Sequence, residues 1–373
     1  MIDTIVLTLE NGYKITDYEA FSPSARDLFE HPYRKWGREG VQRSIQNPNK
    51  ADTEYKPRLT ISKRRMLGSF PILRIELSLP KLYFGNNFAE LQDSLFPLLV
   101  DYLELRLKSM GVIVERDALI NAKVAVVHYS KNILLEQGLT CSLVTAGLAK
   151  SRISEKMDIN TTKFRNGGHA LTFHSNSYEV TFYDKVKDIQ QAKISPKRGI
   201  AKGYTQEDEL FADKYAYTQQ VLRFEVRLNR AQKIKDILAK AGIETELTFK
   251  NIFSERISKA VLQYFWDMLL GNIPPVTLHS KEIAPTAIFL SSKHANIGKR
   301  LEEVAYRLLL QELGTEKAVK NLLNTKAAKR TANRIIKSYG KHDKESITPY
   351  MFKGITQALA EFKPLTIEGL NTI

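Results

Sequence analysis

Three features of this chain predict an α+β fold: an antiparallel sheet with helices on one face, followed by a mostly helical, basic segment. Alternating runs of strand residues fill the first two thirds, and helical periodicity takes over after about residue 245. The two best strands each present one apolar and one charged face. A chain of 373 residues can hold two domains, set here at 1–245 for the sheet and 246–373 for the helices. Its 43% hydrophobic and 26% charged content is that of a chain able to build a core.

In chain order, Ile2 to Leu9 alternates and reads as a strand. The polar stretch from Glu19 to Lys56, with YRKWGREG at Tyr33 to Gly40, reads as a long excursion. Arg58 to Lys63 and Ile72 to Leu79 are expected to pair around MLGSF. Leu91, Leu95, Leu98, Leu99, Tyr102, Leu103 and Leu107 recur at helical spacing, so a helix is predicted over Phe88 to Met110, with Gly111 as its stop. Ala122 to Tyr129 is a strand, followed by an amphipathic segment from Asn132 to Lys150. Ala170 to Phe173 and Tyr178 to Val186 form a hairpin around HSNS, and Gln190 to Gly203 is punctuated as a loop. Leu222 to Leu228 completes the sheet, whose polar face is expected to stay open. The later helices are Thr248 to Leu270, Ala295 to Leu313, Thr315 to Asn324, Thr325 to Tyr339 and Thr348 to Phe362.

Charge narrows the class of partner. Lys and Arg number 56 against 41 Asp and Glu, a net charge of +15, which attracts polyanions such as nucleic acid. No apolar run of about 18 residues is present, so a membrane partner is not expected. Cys141 is the one cysteine, which excludes a disulfide framework and a cysteine zinc site and points to a reducing cytoplasm. GxxxxGK[ST], HExxH and CxxC are all missing, so a built-in P-loop ATPase or helicase is not expected.

The chemistry-bearing residues lie on two runs. In YEVTFYDKVK (Tyr178 to Lys187), Val180, Phe182 and Val186 take one side, and Glu179, Thr181, Tyr183 and Lys185 the other. In LRFEVRLN (Leu222 to Asn229), Arg223, Glu225 and Arg227 oppose Leu222, Phe224, Val226 and Leu228. A tyrosine can attack a phosphodiester and hold a covalent intermediate, with Lys185 neutralising the phosphate. Tyrosine is also common in strands, and Tyr183 is one of 16, so position alone leaves both roles open. Glu225 can hold Mg²⁺ or Mn²⁺, with Arg223 and Arg227 on phosphate oxygens, or can belong to a cross-strand ion-pair ladder. Glu76 repeats the R-x-E spacing beside Arg74. His128 and His174 are single histidines on strands, each a candidate ligand or a structural residue. Asp184 falls on the buried side, where capping competes with metal binding. Lys326, Lys329, Arg330, Arg334 and Lys337 give a basic helical face, either DNA-binding or simply solvated.

MIDTIVLTL at the start, RIELSLPKLYFGNNF (Arg74 to Phe88), VTFYDKVKDIQQ (Val180 to Gln191) and LRFEVRLN together resemble the filamentous-phage gene II/X family of replication initiators. The resemblance covers roughly residues 1 to 235. It implies a metal-dependent DNA nickase and strand transferase for rolling-circle replication of a phage or plasmid. Tyr183 would be the nucleophile, Lys185 its companion, and Glu225 a ligand of Mg²⁺ or Mn²⁺ with His128 or His174, while Glu76 matches a conserved strand glutamate. His128 departs from the family pattern, which has aspartate there, and the paired-histidine motif of the wider class of tyrosine nicking enzymes is missing. The implied partners are origin DNA, a host helicase and a host DNA polymerase. Two alternatives come from the residues themselves: a non-catalytic DNA-binding regulator or repressor of the same fold, and an RNA-binding protein. Tyr215 and Tyr217 are candidate second nucleophiles or helix-packing residues.

Overall fold

The computed structural model describes residues 1–30, 41–48, 54–64, 69–136, 139–149, 158–159, 170–194, 220–271, 295–313, 330 and 350–365. Its strands are β1 (Ile2–Leu9), β2 (Tyr13–Ile15), β3 (Val41–Gln46), β4 (Arg58–Arg64), β5 (Ile72–Ser78), β6 (Val112–Val114), β7 (Lys123–Leu134), β8 (Asp158–Ile159), β9 (Ala170–His174), β10 (Tyr178–Asp184) and β11 (Val221–Leu228). The first helices are α1 (Arg26–Glu30), α2 (Leu79–Phe84), α3 (Phe96–Ser109), α4 (Arg116–Ile120), α5 (Cys141–Leu148) and α6 (Lys185–Ile194). Then come α7 (Ala231–Lys240), α8 (Phe249–Ile252), α9 (Glu255–Leu270), α10 (Ile297–Leu313) and α11 (Tyr350–Glu361).

The fold is mixed α and β, built on one large antiparallel sheet. Nine strands lie in the order β3-β4-β5-β1-β7-β11-β10-β9-β8, and β2 pairs with β6 in a separate ribbon. The last strand in sequence, β11, is inserted between β7 and β10, so it is central rather than marginal. A central strand has neighbours on both sides and can be covered on both faces, which is why every residue of β11 except Arg227 is buried.

One face of β11 and β10 is aromatic. Phe182 and Phe224 are directly opposite and stack with centroids 4.5 Å apart at 9°. Trp266 on α9 leans on both at 6.2 Å and meets Phe352 of α11 edge-on at 5.7 Å. Aromatic clusters of this size contribute strongly to cores, with about 3–5 kcal/mol lost on truncating one member to alanine. The buried residues of α9 and α11 therefore belong to the same hydrophobic cluster as the sheet.

Several elements depart from the expectations. The hairpin strand was expected to run to Val186, but it stops at Asp184. Asp184 Oδ1 accepts the Lys187 amide at 3.0 Å, an N-cap that turns the chain into α6. Lys185 and Val186 are thus helical, and α6 takes up the start of the segment read as a loop from Gln190. Strand β7 runs five residues past Tyr129, through Ser130, Lys131 and Asn132, all buried. Those polar residues hid a strand that the apolar pattern could not show. The helix expected from Phe88 begins at Phe96, because Asn86 Oδ1 first folds the Phe88 and Ala89 amides into a turn. Gly111 does end that helix, at φ +75°, and an added Cβ would lie 2.5 Å from Asp17 Cβ. The helix expected over Thr248 to Leu270 is two, α8 and α9, the second capped by Ser254.

Candidate functional site

Antiparallel pairing sets directly opposite residues on the same face, so the register lays the polar face out as a grid. One row runs His174–Glu179–Arg227–His128–Thr4 across β9, β10, β11, β7 and β1. The next runs Thr172–Thr181–Glu225–Ser130, and the third Ala170–Tyr183–Arg223–Asn132. The alternation in the sequence is therefore real: Tyr183 stands opposite Arg223 and reaches Glu225, which lies between Arg223 and Arg227 on the same face. The face itself is not open at its centre. Arg223 and Glu225 are each 2% exposed: the charges on this face neutralise one another laterally, and the Asn86–Glu90 segment bonds onto Arg223.

Glu225 is the hub. Its Oε2 accepts the Tyr183 hydroxyl at 3.2 Å, and its Oε1 accepts Arg227 Nε at 2.9 Å. Arg227 Nη2 reaches Oε2 at 3.4 Å, making the guanidinium fork bidentate, and His128 Nδ1 is 3.5 Å from Oε1. Burial alone would raise this carboxyl. The charges of Arg227, Arg223 and His128 outweigh it and hold the group well below the usual carboxylate range. Tyr183 moves the other way: burial pushes its phenol well above 10, helped by Glu225, Asp188 and Asp3 and opposed by Arg223. His128 is pushed down by burial, which the nearby Glu225 offsets in part.

Arg223 is fixed from several elements. Its Nη1 donates to the Asn87 carbonyl at 2.7 Å and to Asn132 Oδ1 at 3.4 Å, and its Nη2 to Ser130 Oγ at 2.9 Å. Asp3, in the irregular start of β1, lies 2.8 Å from Nη2. So bound, it serves the site as a fixed charge beside Tyr183. Arg227 keeps 36% of its side chain exposed and pairs with Glu179 at 3.3 Å, so it is the arginine able to meet a phosphate. Lys185, buried at the start of α6, donates to Asn87 Oδ1 at 2.7 Å.

The expected metal ligands do not converge. Glu225 and His128 meet, but His174 stands on the far side of β10, opposite Glu179, and Glu76 is on β5, three strands from β11 and opposite Val6. Among the described residues no group of three or more His, Cys, Asp or Glu side chains is gathered to hold a metal ion. Both Glu225 oxygens already carry Arg227, Tyr183 and His128 contacts. Among the described residues this donor set does not fit Mg²⁺ or Mn²⁺, and no step below is routed through a metal. Lys326, Lys329, Arg334, Lys337, Tyr215, Tyr217 and the Tyr33–Gly40 run lie outside the described residues, while Arg330 is exposed.

Asp3, Asn87, Ser130 and Asn132 belong to the site and were not singled out from the sequence. An acid inside MIDTIVLTL was the available signal for Asp3; the asparagines carried none. Comparison with family models, with curated proteins and with solved structures finds no match. No helix among the described residues is long and apolar enough to cross a membrane.

Proposed function

We propose that this chain is a DNA nickase and strand transferase that initiates rolling-circle replication, with Tyr183 as nucleophile. The observation carrying the reading is the Tyr183 hydroxyl donating to Glu225 between two arginines, on strands whose motifs resemble the gene II/X initiators. Tyr183 Oη attacks the scissile phosphorus, and its proton passes to the Glu225 carboxylate. The bond from phosphorus to the 3′-oxygen breaks, the 3′-oxygen takes a proton from water, the hydroxide so formed takes the tyrosine's proton back from Glu225, and the 5′-phosphate stays on Tyr183. A phenol held so far above neutral pH keeps its proton until the new bond forms, so transfer to Glu225 accompanies attack. Arg227 receives the phosphate from the exposed side, and Arg223 supplies fixed positive charge beside the phenol. The free 3′-hydroxyl would prime a host polymerase on origin DNA unwound by a host helicase, and the phosphotyrosine would retain the bond for rejoining.

One observation favours a second reading, a non-catalytic DNA-binding regulator of the same fold: the Glu225 carboxylate and the Arg223 guanidinium are buried and well partnered. Covalent capture separates the two. The protein is incubated with single-stranded oligonucleotides of randomised sequence, with and without Mg²⁺, and denatured. A nickase leaves DNA attached to the chain, lost in Tyr183→Phe; a regulator leaves none.

A further inference from the structure

The turn between α2 and α3 meets both cations at the tyrosine's end of the face. After Gly85 (φ +73°), Asn86 closes an Asx turn on the Phe88 and Ala89 amides and donates to the Phe84 carbonyl at 3.1 Å. The turn is fastened to β7, where Asn132 Nδ2 donates to the Phe88 carbonyl at 2.6 Å and Glu90 Oε1 accepts the Asn132 amide at 2.6 Å. Asn87 sits between these anchors, and its two oxygens go to different partners. The side-chain oxygen takes Lys185 Nζ and the carbonyl takes Arg223 Nη1, both at 2.7 Å.

We infer that Asn87 is a positioning residue for the Tyr183 site, holding the Lys185 ammonium and the Arg223 guanidinium in one fixed arrangement for the phosphate that Tyr183 attacks. This rests on the proposed nickase reading and extends it to a residue outside the strand motifs. Three observations carry it. Lys185 and Arg223 come from different elements, α6 and β11, and Asn87 is hydrogen-bonded to both. Both cations are buried, at 1% and 2% exposure, so their positions depend on such partners rather than on solvent. The residue opposite Arg223 on β10 is Tyr183, so the guanidinium that Asn87 holds stands directly beside the proposed nucleophile. A neutral amide at position 87 accepts from the Lys185 ammonium without cancelling its charge.

The test compares wild type with Asn87→Ala, Asn87→Gln and Asn87→Asp in single-turnover adduct formation on a captured oligonucleotide. The expected result for Asn87→Ala is a rate about tenfold to a hundredfold lower, the size of effect that loose positioning produces, with oligonucleotide affinity changed less than about threefold, since chemistry rather than binding is lost. Asn87→Gln recovers part of the rate. Asn87→Asp also lowers the rate, because a carboxylate set against Lys185 Nζ cancels positive charge at the tyrosine's end of the face. Wild-type rate in Asn87→Ala, or a loss of rate matched by an equal loss of affinity, overturns the inference. A second readout does not need activity: in protein labelled with ¹³Cζ-tyrosine, the Tyr183 resonance, assigned by its disappearance in Tyr183→Phe, shifts in Asn87→Ala and Asn87→Asp. Absence of adduct in wild type counts against the nickase reading, whereas an unmoved Tyr183 resonance counts against the role of Asn87.

Discussion

Replacing Glu225 by glutamine tests the hub of the polar face, because it keeps shape and removes charge. In the native site the carboxylate carries Arg227 through two nitrogens, the Tyr183 hydroxyl and the approach of His128. Removing one partner of a buried ion pair costs about 3–5 kcal/mol in general. Two facts reduce this here: Arg227 is 36% exposed and retains Glu179, and Arg223 retains Asp3. The expected loss in Glu225→Gln is therefore about 3 kcal/mol at pH 7, the low end of that range. Urea unfolding followed by tryptophan fluorescence reads it directly, since Trp266 is buried behind the same two strands. The pH dependence supplies an internal control. The native carboxyl ionises well below its unfolded value of about 4.3, so its stabilisation is full above that pH and fades as the pH falls through it. The gap between wild type and Glu225→Gln should thus narrow in acid. A variant as stable as wild type at pH 7, or a gap independent of pH, would refute the account of Glu225 as an ionised hub.

Two further outcomes follow from the same geometry. His128 is held neutral by burial, below its ordinary value of about 6.5, so the fold loses stability as pH falls below that value; His128→Gln should flatten this limb in denaturant titrations between roughly pH 6.5 and 5. Lys131 and Glu90 form a buried pair that also binds the segment after α11, with Leu365 N donating to Glu90 at 2.9 Å and Lys131 donating to the Lys363 carbonyl at 2.5 Å. Lys131→Met should cost about 3–5 kcal/mol and speed amide exchange at Leu365; unchanged exchange there would show that the pair does not hold this segment.

The sheet was largely legible because its strands obey period two. Ile2–Leu9 is a strand over the range expected, and the faces of β10 and β11 divide as read, apolar Phe182 and Phe224 against polar Tyr183 and Glu225. What the alternation could not give was neighbourhood across strands. Nothing in the spacing of Leu222 to Leu228 says that β11 lies between β7 and β10, and that insertion is what brings His128 to Glu225 and leaves His174 beyond β10. The polar end of β7 failed for a different reason. Ser130, Lys131 and Asn132 look solvent-facing, yet they are buried because Arg223 and Glu90 satisfy them, and those partners lie 41 or more residues away. The strand end at Asp184 was a local signal: an aspartate before a helix-forming run is a cap. Asn87 acts partly through its backbone carbonyl, which residue type does not encode.

Tyr183 is the residue expected to become covalently attached to DNA. Wild-type protein incubated with supercoiled circular DNA carrying the sequence around its own coding region, then digested with nuclease and protease, is read by peptide mass spectrometry. A nucleotide mass is expected on the peptide containing Tyr183, with nicked circles in the same reaction and neither product in Tyr183→Phe. Nicking that persists in Tyr183→Phe, or an adduct on another residue, would contradict it.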